Sequence, residues 1–206
     1  MVTDWIETYT GKKFYPQKPD YRDIDIADVA HSLSNKCRYS GATYRFYSVA
    51  QHSVHVCEFV PNEYKLEALL HDASEAYFPD VPYPIKPFLK ELMVYEEALQ
   101  RAIAHRFNLD FPWPAIIRKV DREIVVDEAR CLMHTGGVEW REGRTGFAKA
   151  IIPWEPRDAE RAFLDKFSEC LADRPADRRP ADPYHMEQAA RAHAKRVVQE
   201  IRGEGQ

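Results

Sequence analysis

The sequence predicts a mainly α-helical fold, from the spacing of its apolar residues and the scarcity of strand patterns. Apolar residues recur at i, i+3, i+4 and i+7 over residues 26–33, as on the buried face of a helix. The clearest strand pattern lies over residues 5–8 and 12–15, around Thr10-Gly11, and predicts a small N-terminal β-hairpin. We therefore expect an all-α bundle of six to seven helices.

Capping residues place the first helices along the chain. Asp25 is typical of a helix N-terminus because a second aspartate follows three residues later. Ser48 and the glutamine three residues after it have the spacing of a capping box, which predicts a helix over 48–60. Asn62 predicts the start of a helix over 62–76, which a run of prolines then ends.

The remaining helices are predicted from long amphipathic stretches that prolines separate. They lie over 90–108, from about 114 to 134, and after Pro156. The segments 38–47 and 136–152 are polar, contain glycine and are predicted as loops.

One domain is expected over residues 1–172, followed by a C-terminal segment of different composition. Residues 173–183, DRPADRRPADP, are rich in proline and charge and predict a linker. A short polar helix is predicted over 184–202, so residues 173–206 form a separate tail. A chain of 206 residues is consistent with one domain and such a tail, at roughly 150 residues per domain.

Composition and charge exclude several classes of protein. With 29 Lys and Arg against 33 Asp and Glu, the formal net charge is −4, which argues against a binder of nucleic-acid polymers. No apolar run approaches the roughly 18 residues of a membrane span. The N-terminus lacks the basic start and apolar core of a secretory signal. We therefore expect a cytoplasmic protein whose four cysteines, which form no CxxC pair, stay reduced.

Two histidines and two aspartates fall on the predicted inward faces of three helices, and these are His52, His71, Asp72 and Asp121. A buried carboxylate must be paired, neutral or bound to a metal, because an isolated buried charge is costly. A mixed set of imidazole and carboxylate groups suits Zn²⁺, Mn²⁺, Co²⁺, Ni²⁺ or Fe²⁺. Taken alone, His52 is also typical of a hydrogen-bonded structural residue, Asp121 of a boundary residue that faces water, and the His71-Asp72 dipeptide of a chance occurrence. Their joint occurrence is what indicates a metal site.

Two further carboxylates lie close to this set in the sequence. Glu75 follows His71 by four residues and Asp72 by three, so it shares their face of the predicted helix and is placed to orient or deprotonate a water. Asp80 begins the proline-rich segment DVPYPIK, a rigid loop suited to substrate contacts. The alternatives are a surface acid for Glu75 and an ordinary turn residue for Asp80.

The ordered motif of His52, HDASE over 71–75, DVPYPIK over 80–86 and Asp121 resembles the HD-domain superfamily of metal-dependent phosphohydrolases. Within it, the sequence is most similar to bacterial 5′-deoxynucleotidases and related small nucleotide phosphohydrolases, including phage deoxyadenosine-triphosphate hydrolases. The resemblance covers about residues 25–135. It implies an HD-domain helical bundle with one divalent cation, whose ligands would be His52, His71, Asp72 and Asp121.

The same resemblance implies roles for the residues around the cation. Glu75 would be the catalytic carboxylate that aligns the attacking water, with Asp72 also counted as catalytic. Asp80 matches the position that contacts the sugar 3′-hydroxyl. Arg38 matches an arginine near the phosphate, and Tyr39 stands where the deoxynucleotidases carry tryptophan.

Further cationic side chains are candidates for contacts with phosphate oxygens. Lys86 is predicted to bind substrate together with Arg38, with a surface salt bridge as the alternative for Lys86. Arg45 and Arg122 are the other candidates. Tyr83 departs from the family pattern, because the resembling enzymes place a small hydroxyl residue there.

The sequence predicts metal-dependent hydrolysis of phosphate from small nucleotides, foremost (deoxy)nucleoside 5′-monophosphates. One alternative is a deoxynucleoside triphosphate triphosphohydrolase, and another is a non-catalytic metal or nucleotide sensor, which the presence of Glu75 disfavours. The expected cofactor is one divalent ion, either Mn, Co, Zn, Ni, Fe or Mg. The expected partners are a small-molecule nucleotide and, since the resembling enzymes are often dimeric, a second copy of the chain.

Overall fold

The computed structural model describes residues 4–140, 143–180 and 192, and within them the chain forms six α-helices and a two-stranded hairpin. The helices are α1 (Ile26–Ser34), α2 (Val49–Glu58), α3 (Lys65–Leu70), α4 (Lys90–Phe107), α5 (Ala115–Leu132) and α6 (Pro156–Asp173). Strands β1 (Ile6–Glu7) and β2 (Lys13–Phe14) pair antiparallel. The predicted all-α bundle with a small N-terminal hairpin is confirmed. Among these helices, none is long and apolar enough to span a membrane.

Two helices begin where the capping residues predict. The Asp25 side chain accepts a hydrogen bond from Ala27 N at 3.0 Å, and the Ser48 side chain accepts one from Gln51 N at 3.1 Å. The Gln51 side chain instead accepts a hydrogen bond from Trp154 N at 2.8 Å. The predicted capping box is therefore half formed, because Gln51 fastens the segment before α6 to α2.

The prediction of one helix over 62–76 is wrong, because the helix breaks where the candidate site residues lie. α3 ends after six residues, and Ala73–Ala76 forms a separate 3₁₀ turn. His71 Nδ1 lies 2.7 Å from the carbonyl oxygen of Ala68, which is the group that Asp72 N–H would need in a continued α-helix. His71 and Asp72 therefore project from a turn and not from one face of a continuous helix.

α2 lies at the centre of the bundle, where it packs against α1, α3, α5 and α6. α6 also contacts α1 and α3 and closes that side of the core. The largest wholly buried side chains include Phe14, Tyr47, Phe107, Phe163 and Phe167. Burying each phenylalanine stabilises the fold by about 1.5–3 kcal/mol relative to leaving it exposed.

Buried carboxylates fasten two segments that lie outside the helices. Gly146 has a φ of +72° and lies so close to Asp127 that an added Cβ would meet the carboxylate oxygen at 2.7 Å. Glu67 on α3 accepts a hydrogen bond from Arg174 at 2.7 Å. The start of the predicted linker thus packs against the bundle. The predicted C-terminal helix lies outside the described residues, except at position 192.

Candidate metal centre

His52 lies on α2 inside the bundle, with one ring nitrogen toward Asp121 on α5 and Asp72 in the turn after α3, and the other toward Glu128 on α5. Its side chain is wholly buried. The Nε2 atom lies 3.1 Å from Asp121 Oδ1 and 3.6 Å from Asp72 Oδ2. The Nδ1 atom lies 2.6 Å from Glu128 Oε1. Since an ionised carboxylate only accepts, Nδ1 carries a proton and donates it to Glu128.

His71 and Asp72 complete a compact group around the same place. His71 Nε2 lies 3.2 Å from Asp72 Oδ2, while His71 Nδ1 donates to a backbone carbonyl. The ring centroids of His52 and His71 are 5.4 Å apart. One donor atom from each of His52, His71 and Asp72 lies within 4.8 Å of the other two. Both histidines therefore direct Nε2 toward the same carboxylate.

This group of donors fits a divalent cation. The Nε2 atoms of His52 and His71 are buried, and among the described residues neither has a hydrogen bond of acceptable geometry, although carboxylate oxygens are near. Buried polar atoms left in this state are costly, and imidazole nitrogens are common metal ligands. The His52, His71 and Asp72 group is therefore a candidate metal site, with Asp121 beside it as a further donor. Its N/O chemistry suits several divalent metals.

The charges of the cluster change one another's pKa values. Burial and the charge of Arg38 oppose protonation of His52, but the neighbouring carboxylates prevail and raise its pKa to about 9. Burial opposes ionisation of Asp72, but the charges of His71, His52 and Arg38 hold the pKa of Asp72 far below its usual range. The cluster is thus a network of ionised groups, and a cation bound there competes with protons for the same nitrogens.

Arg38 lies beside the cluster, at the start of a left-handed turn between α1 and α2. Tyr39 and Ser40 have φ values of +55° and +51°, which is costly for residues other than glycine. The Arg38 side chain is only 12% exposed, and its guanidinium lies 3.7 Å from Asp72 Oδ2 and 3.2 Å from Glu128 Oε2. Tyr39 Oη also donates to Glu128, at 2.5 Å. Two predicted substrate residues are therefore connected to the metal cluster.

Glu75 lies in the 3₁₀ turn that follows Asp72, and its side chain is buried. Among the described residues, its Oε2 atom has no hydrogen-bond partner. Burial and the charges of Asp72 and Asp80 raise the pKa of Glu75 well above its usual value. Lys36 holds the backbone of this turn, because its Nζ donates to the carbonyl oxygens of Glu75 and, at 2.7 Å, of Phe78.

The loop after this turn brings Asp80 and Lys86 toward the cluster. Both residues are half-buried. Burial raises the pKa of Asp80, and the nearby charge of Lys86 lowers the pKa of both Asp80 and Glu75. Arg45 and Tyr83 are instead exposed, so the structure leaves these two on the surface.

Comparison with known proteins places the chain in a family. It is 37% identical over 168 residues to "Uncharacterized protein YfdR" of Escherichia coli (strain K12), across 80% of this chain and 94% of that protein. The chain belongs to the YfdR family. A second relative of this YfdR-family chain, RCAP_rcc00048 of Rhodobacter capsulatus, is 33% identical over 129 residues, across 58% of this chain and 66% of that protein. No family model matches the chain.

In this member of the YfdR family, the helical bundle and the His–His–Asp group fit a metal-binding HD-like fold. Sequence reasoning missed Glu128, which is wholly buried against the cluster. A signal for it exists, because Glu128 follows Asp121 by seven residues and Ile124 by four, on one face of α5. Sequence reasoning also missed Lys36, for which no pattern in the polar segment after α1 gives a signal.

Proposed function

We propose that this chain hydrolyses the phosphate ester of a small nucleotide, foremost a (deoxy)nucleoside 5′-monophosphate, with one divalent cation. The observation that carries the proposal is that a His–His–Asp donor group, a buried acid and a guanidinium meet at one place. Phosphoryl transfer depends on positioning and on neutralising the charge of the phosphoryl oxygens. The likeness of the HDASE and DVPYPIK motifs to HD-domain phosphohydrolases supports the same function.

The cation would be held by nitrogen and oxygen donors, which are His52, His71, Asp72 and Asp121. When bound, a divalent cation neutralises phosphoryl oxygens and makes a water easier to deprotonate. The role of the protein is to keep the Nε2 atoms of both histidines directed at one place. It does so through the hydrogen bonds that each Nδ1 makes, to Glu128 and to the Ala68 carbonyl.

Glu75 acts as the general base in this proposal. Burial and the charges of Asp72 and Asp80 raise the pKa of Glu75, which makes its carboxylate a stronger base than an exposed one. Glu75 takes a proton from water as the water oxygen forms a bond to phosphorus. The bond from phosphorus to the nucleoside oxygen breaks, that oxygen takes up a proton from solvent, and Glu75 releases its proton to solvent, which restores the base.

The neighbouring side chains bind the rest of the nucleotide. Arg38 donates to phosphate oxygens with the paired N–H groups that suit this geometry. Lys86 adds positive charge from the loop above Glu75, and Asp80 accepts a hydrogen bond from a sugar hydroxyl. Tyr39 lies next to Arg38 and offers a ring for contact with the nucleoside.

The test is phosphate release from a panel of nucleoside mono-, di- and triphosphates. Metal-stripped protein is assayed with Mn²⁺, Co²⁺, Zn²⁺ or Mg²⁺ restored one at a time. We expect orthophosphate from monophosphates only when a metal is present, and no turnover by Asp72→Ala. Metal and nucleotide binding without release under any of the four metals would contradict the enzyme and indicate a sensor.

Glu75→Gln tests the base separately from the metal site. Removing the proton acceptor should lower turnover by at least about 10²-fold, while the affinity for the metal stays close to that of the wild type. Turnover and Co²⁺ affinity are measured on the same preparation. Wild-type turnover in Glu75→Gln would show that another group accepts the proton.

A cationic cleft on α5 favours a triphosphohydrolase as the second candidate. The cleft has a volume of about 430 Å³, and its lining includes Arg118, Lys119, Arg122 and Arg144. Arg118, Lys119 and Arg122 lie on α5, the helix that carries Asp121, and Arg144 reaches the cleft from the loop that follows α5. Like charges one turn apart destabilise a helix, and a triphosphate would neutralise them. Release of triphosphate from deoxynucleoside triphosphates in the same panel would favour this candidate.

A further inference from the structure

Glu128 lies where the metal cluster meets the arginine that faces it. It is wholly buried on α5. Its Oε1 accepts hydrogen bonds from His52 Nδ1 at 2.6 Å and from Tyr47 Oη at 2.8 Å. Its Oε2 accepts hydrogen bonds from Tyr39 Oη at 2.5 Å and from Arg38 Nη2 at 3.2 Å. One carboxylate therefore contacts both halves of the site, each through a different oxygen.

The four donors determine what Glu128 can do to His52. Each oxygen of Glu128 accepts a hydrogen bond from a tyrosine hydroxyl, and Arg38 can only donate. A carboxylate that accepts on both oxygens leaves His52 to donate to it through Nδ1. The ring is thereby oriented with Nε2 toward Asp72 and Asp121. A carboxylate on the outer nitrogen of a ligating histidine is a common way to fix the ring and its tautomer.

The second oxygen of Glu128 has the same effect on Arg38. It holds Nη2, and the plane of the guanidinium then places Nη1 at 3.7 Å from Asp72 Oδ2. Tyr39 Oη binds the same oxygen, which offsets part of the cost of the left-handed backbone next to Arg38. The cationic group is thus held at the edge of the metal cluster by a side chain that is inaccessible to a substrate.

From this geometry we infer that Glu128 is a positioning residue that sets the His52 ring and the Arg38 guanidinium together. One side chain then determines both the affinity of the site for a cation and its affinity for an anion. The inference rests on the metal-site part of the proposed function and does not require turnover.

Two substitutions separate position from charge. Glu128→Asp keeps the charge but withdraws the carboxylate by one methylene, and Glu128→Gln keeps the length but removes the charge. Metal-free protein is titrated with Co²⁺ by calorimetry and visible absorption, and Co²⁺-saturated protein is then titrated with inorganic phosphate. We expect both variants to bind Co²⁺ about 10- to 100-fold more weakly and with a changed absorption spectrum. We expect both to bind phosphate about tenfold more weakly.

If Glu128 acts through its charge alone, we expect a different pattern of affinities for Co²⁺ and phosphate. Glu128→Gln would then bind phosphate more tightly, because a negative charge beside Arg38 is gone. Glu128→Asp would bind both ligands as the wild type does. Either result overturns the inference.

Asp127→Asn is the matched control. Asp127 neighbours Glu128 on α5 and is also wholly buried, but it accepts hydrogen bonds from Arg130 and from Phe147 N. Both affinities of Asp127→Asn should stay within about twofold of the wild type. A loss in the control as large as in the Glu128 variants would mean that any buried carboxylate on α5 has this effect, and would refute the inference.

Tyr47→Phe keeps the test decisive if a Glu128 variant does not fold. It removes one donor to Oε1 and leaves the charge in place. We expect Co²⁺ binding about threefold weaker with phosphate binding unchanged, and unchanged Co²⁺ affinity would contradict the inference. Wild-type protein that binds both ligands but releases no phosphate would refute the proposed function and leave this inference standing.

Discussion

Two wholly buried glutamates in this molecule face arginines, yet their surroundings differ. Glu67 on α3 accepts hydrogen bonds from Arg174 at 2.7 Å and Arg178 at 3.2 Å, both from the end of α6 onward. Glu128 on α5 faces Arg38 and also a histidine whose second nitrogen points into a group of carboxylates. The first ion pair joins two segments of the chain. The second is continuous with donor atoms that have no satisfactory partner among the described residues.

The comparison teaches that a buried ion pair does not by itself indicate a functional site. Taking both charges out of water costs about as much as their attraction returns, so either pair is weak support for stability. What distinguishes the Glu128 region is the chemistry of the atoms that converge there. The Nε2 atoms of two histidines lie beside the carboxylates of Asp72 and Asp121, a donor set that suits a divalent cation. Around Glu67, the buried atoms without a partner among the described residues are its own Oε2 and two nitrogens of Arg174, and a guanidinium has no lone pair to offer a metal ion.

Substituting the arginine of each ion pair should lower turnover in the Glu128 region and the free energy of unfolding in the Glu67 region. Arg38→Met should lower kcat/KM about 10²- to 10³-fold, because a donor to the phosphate is lost. The free energy of unfolding should fall by less than about 2 kcal/mol, because Glu128 keeps three other donors. Phosphate release and urea unfolding measure the two quantities. Full turnover in Arg38→Met would show that the phosphate of the substrate does not bind at Arg38.

Arg174→Met is the counterpart in the other region. It leaves Glu67 buried with one arginine, so we expect the free energy of unfolding to fall by about 3 kcal/mol. Turnover per folded molecule should not change. Adding Glu67→Met to Arg174→Met should recover about 2 kcal/mol, since the second buried charge is then removed as well. No recovery in the double variant would mean that packing, and not charge, holds this segment.

Most of the helices could be predicted because their signals are local. Asp25 and Ser48 act on backbone groups within three residues, and helical spacing is visible within a single stretch. His52, His71 and Asp72 carry a chemistry that residue type and order reveal. The structure brings these three together as the sequence predicts.

The rest depends on contacts between residues far apart in the chain. The 3₁₀ turn after α3 is held by the Lys36 ammonium, which donates to carbonyl groups about forty residues later in the chain. Helical spacing can place Glu67 and Glu128 on buried helix faces, but it does not reveal their partner arginines, which lie 107 and 90 residues away. Nothing in a single sequence distinguishes a glutamate that fastens a tail from one that orients a metal ligand.

Glu58 is a partly exposed glutamate that extends the comparison. Its substitution should have the smallest effect on the free energy of unfolding. Its side chain is 37% exposed and lies 3.4 Å from His55 Nδ1 and 2.5 Å from Lys149 Nζ. Burial opposes ionisation, but the hydrogen bonds from His55 and Lys149 lower the pKa of Glu58 from 4.5 to about 2. A lowered pKa means that the interaction stabilises the fold above about pH 4.5. That stabilisation is lost as the pH falls toward 2.

Glu58→Gln should therefore lower the free energy of unfolding by no more than about 1 kcal/mol at pH 7, because solvent screens a pair with this exposure. The difference from the wild type should shrink as the pH falls toward 2 and vanish only below that pH, where Glu58 becomes protonated in both the folded and the unfolded state. Urea unfolding at several pH values from 7 to below 2 measures it. A loss at pH 7 as large as that of Arg174→Met would show that exposure does not set the strength of these pairs. The contrast between the glutamates would then rest only on the imidazole nitrogens and carboxylates that converge beside Glu128.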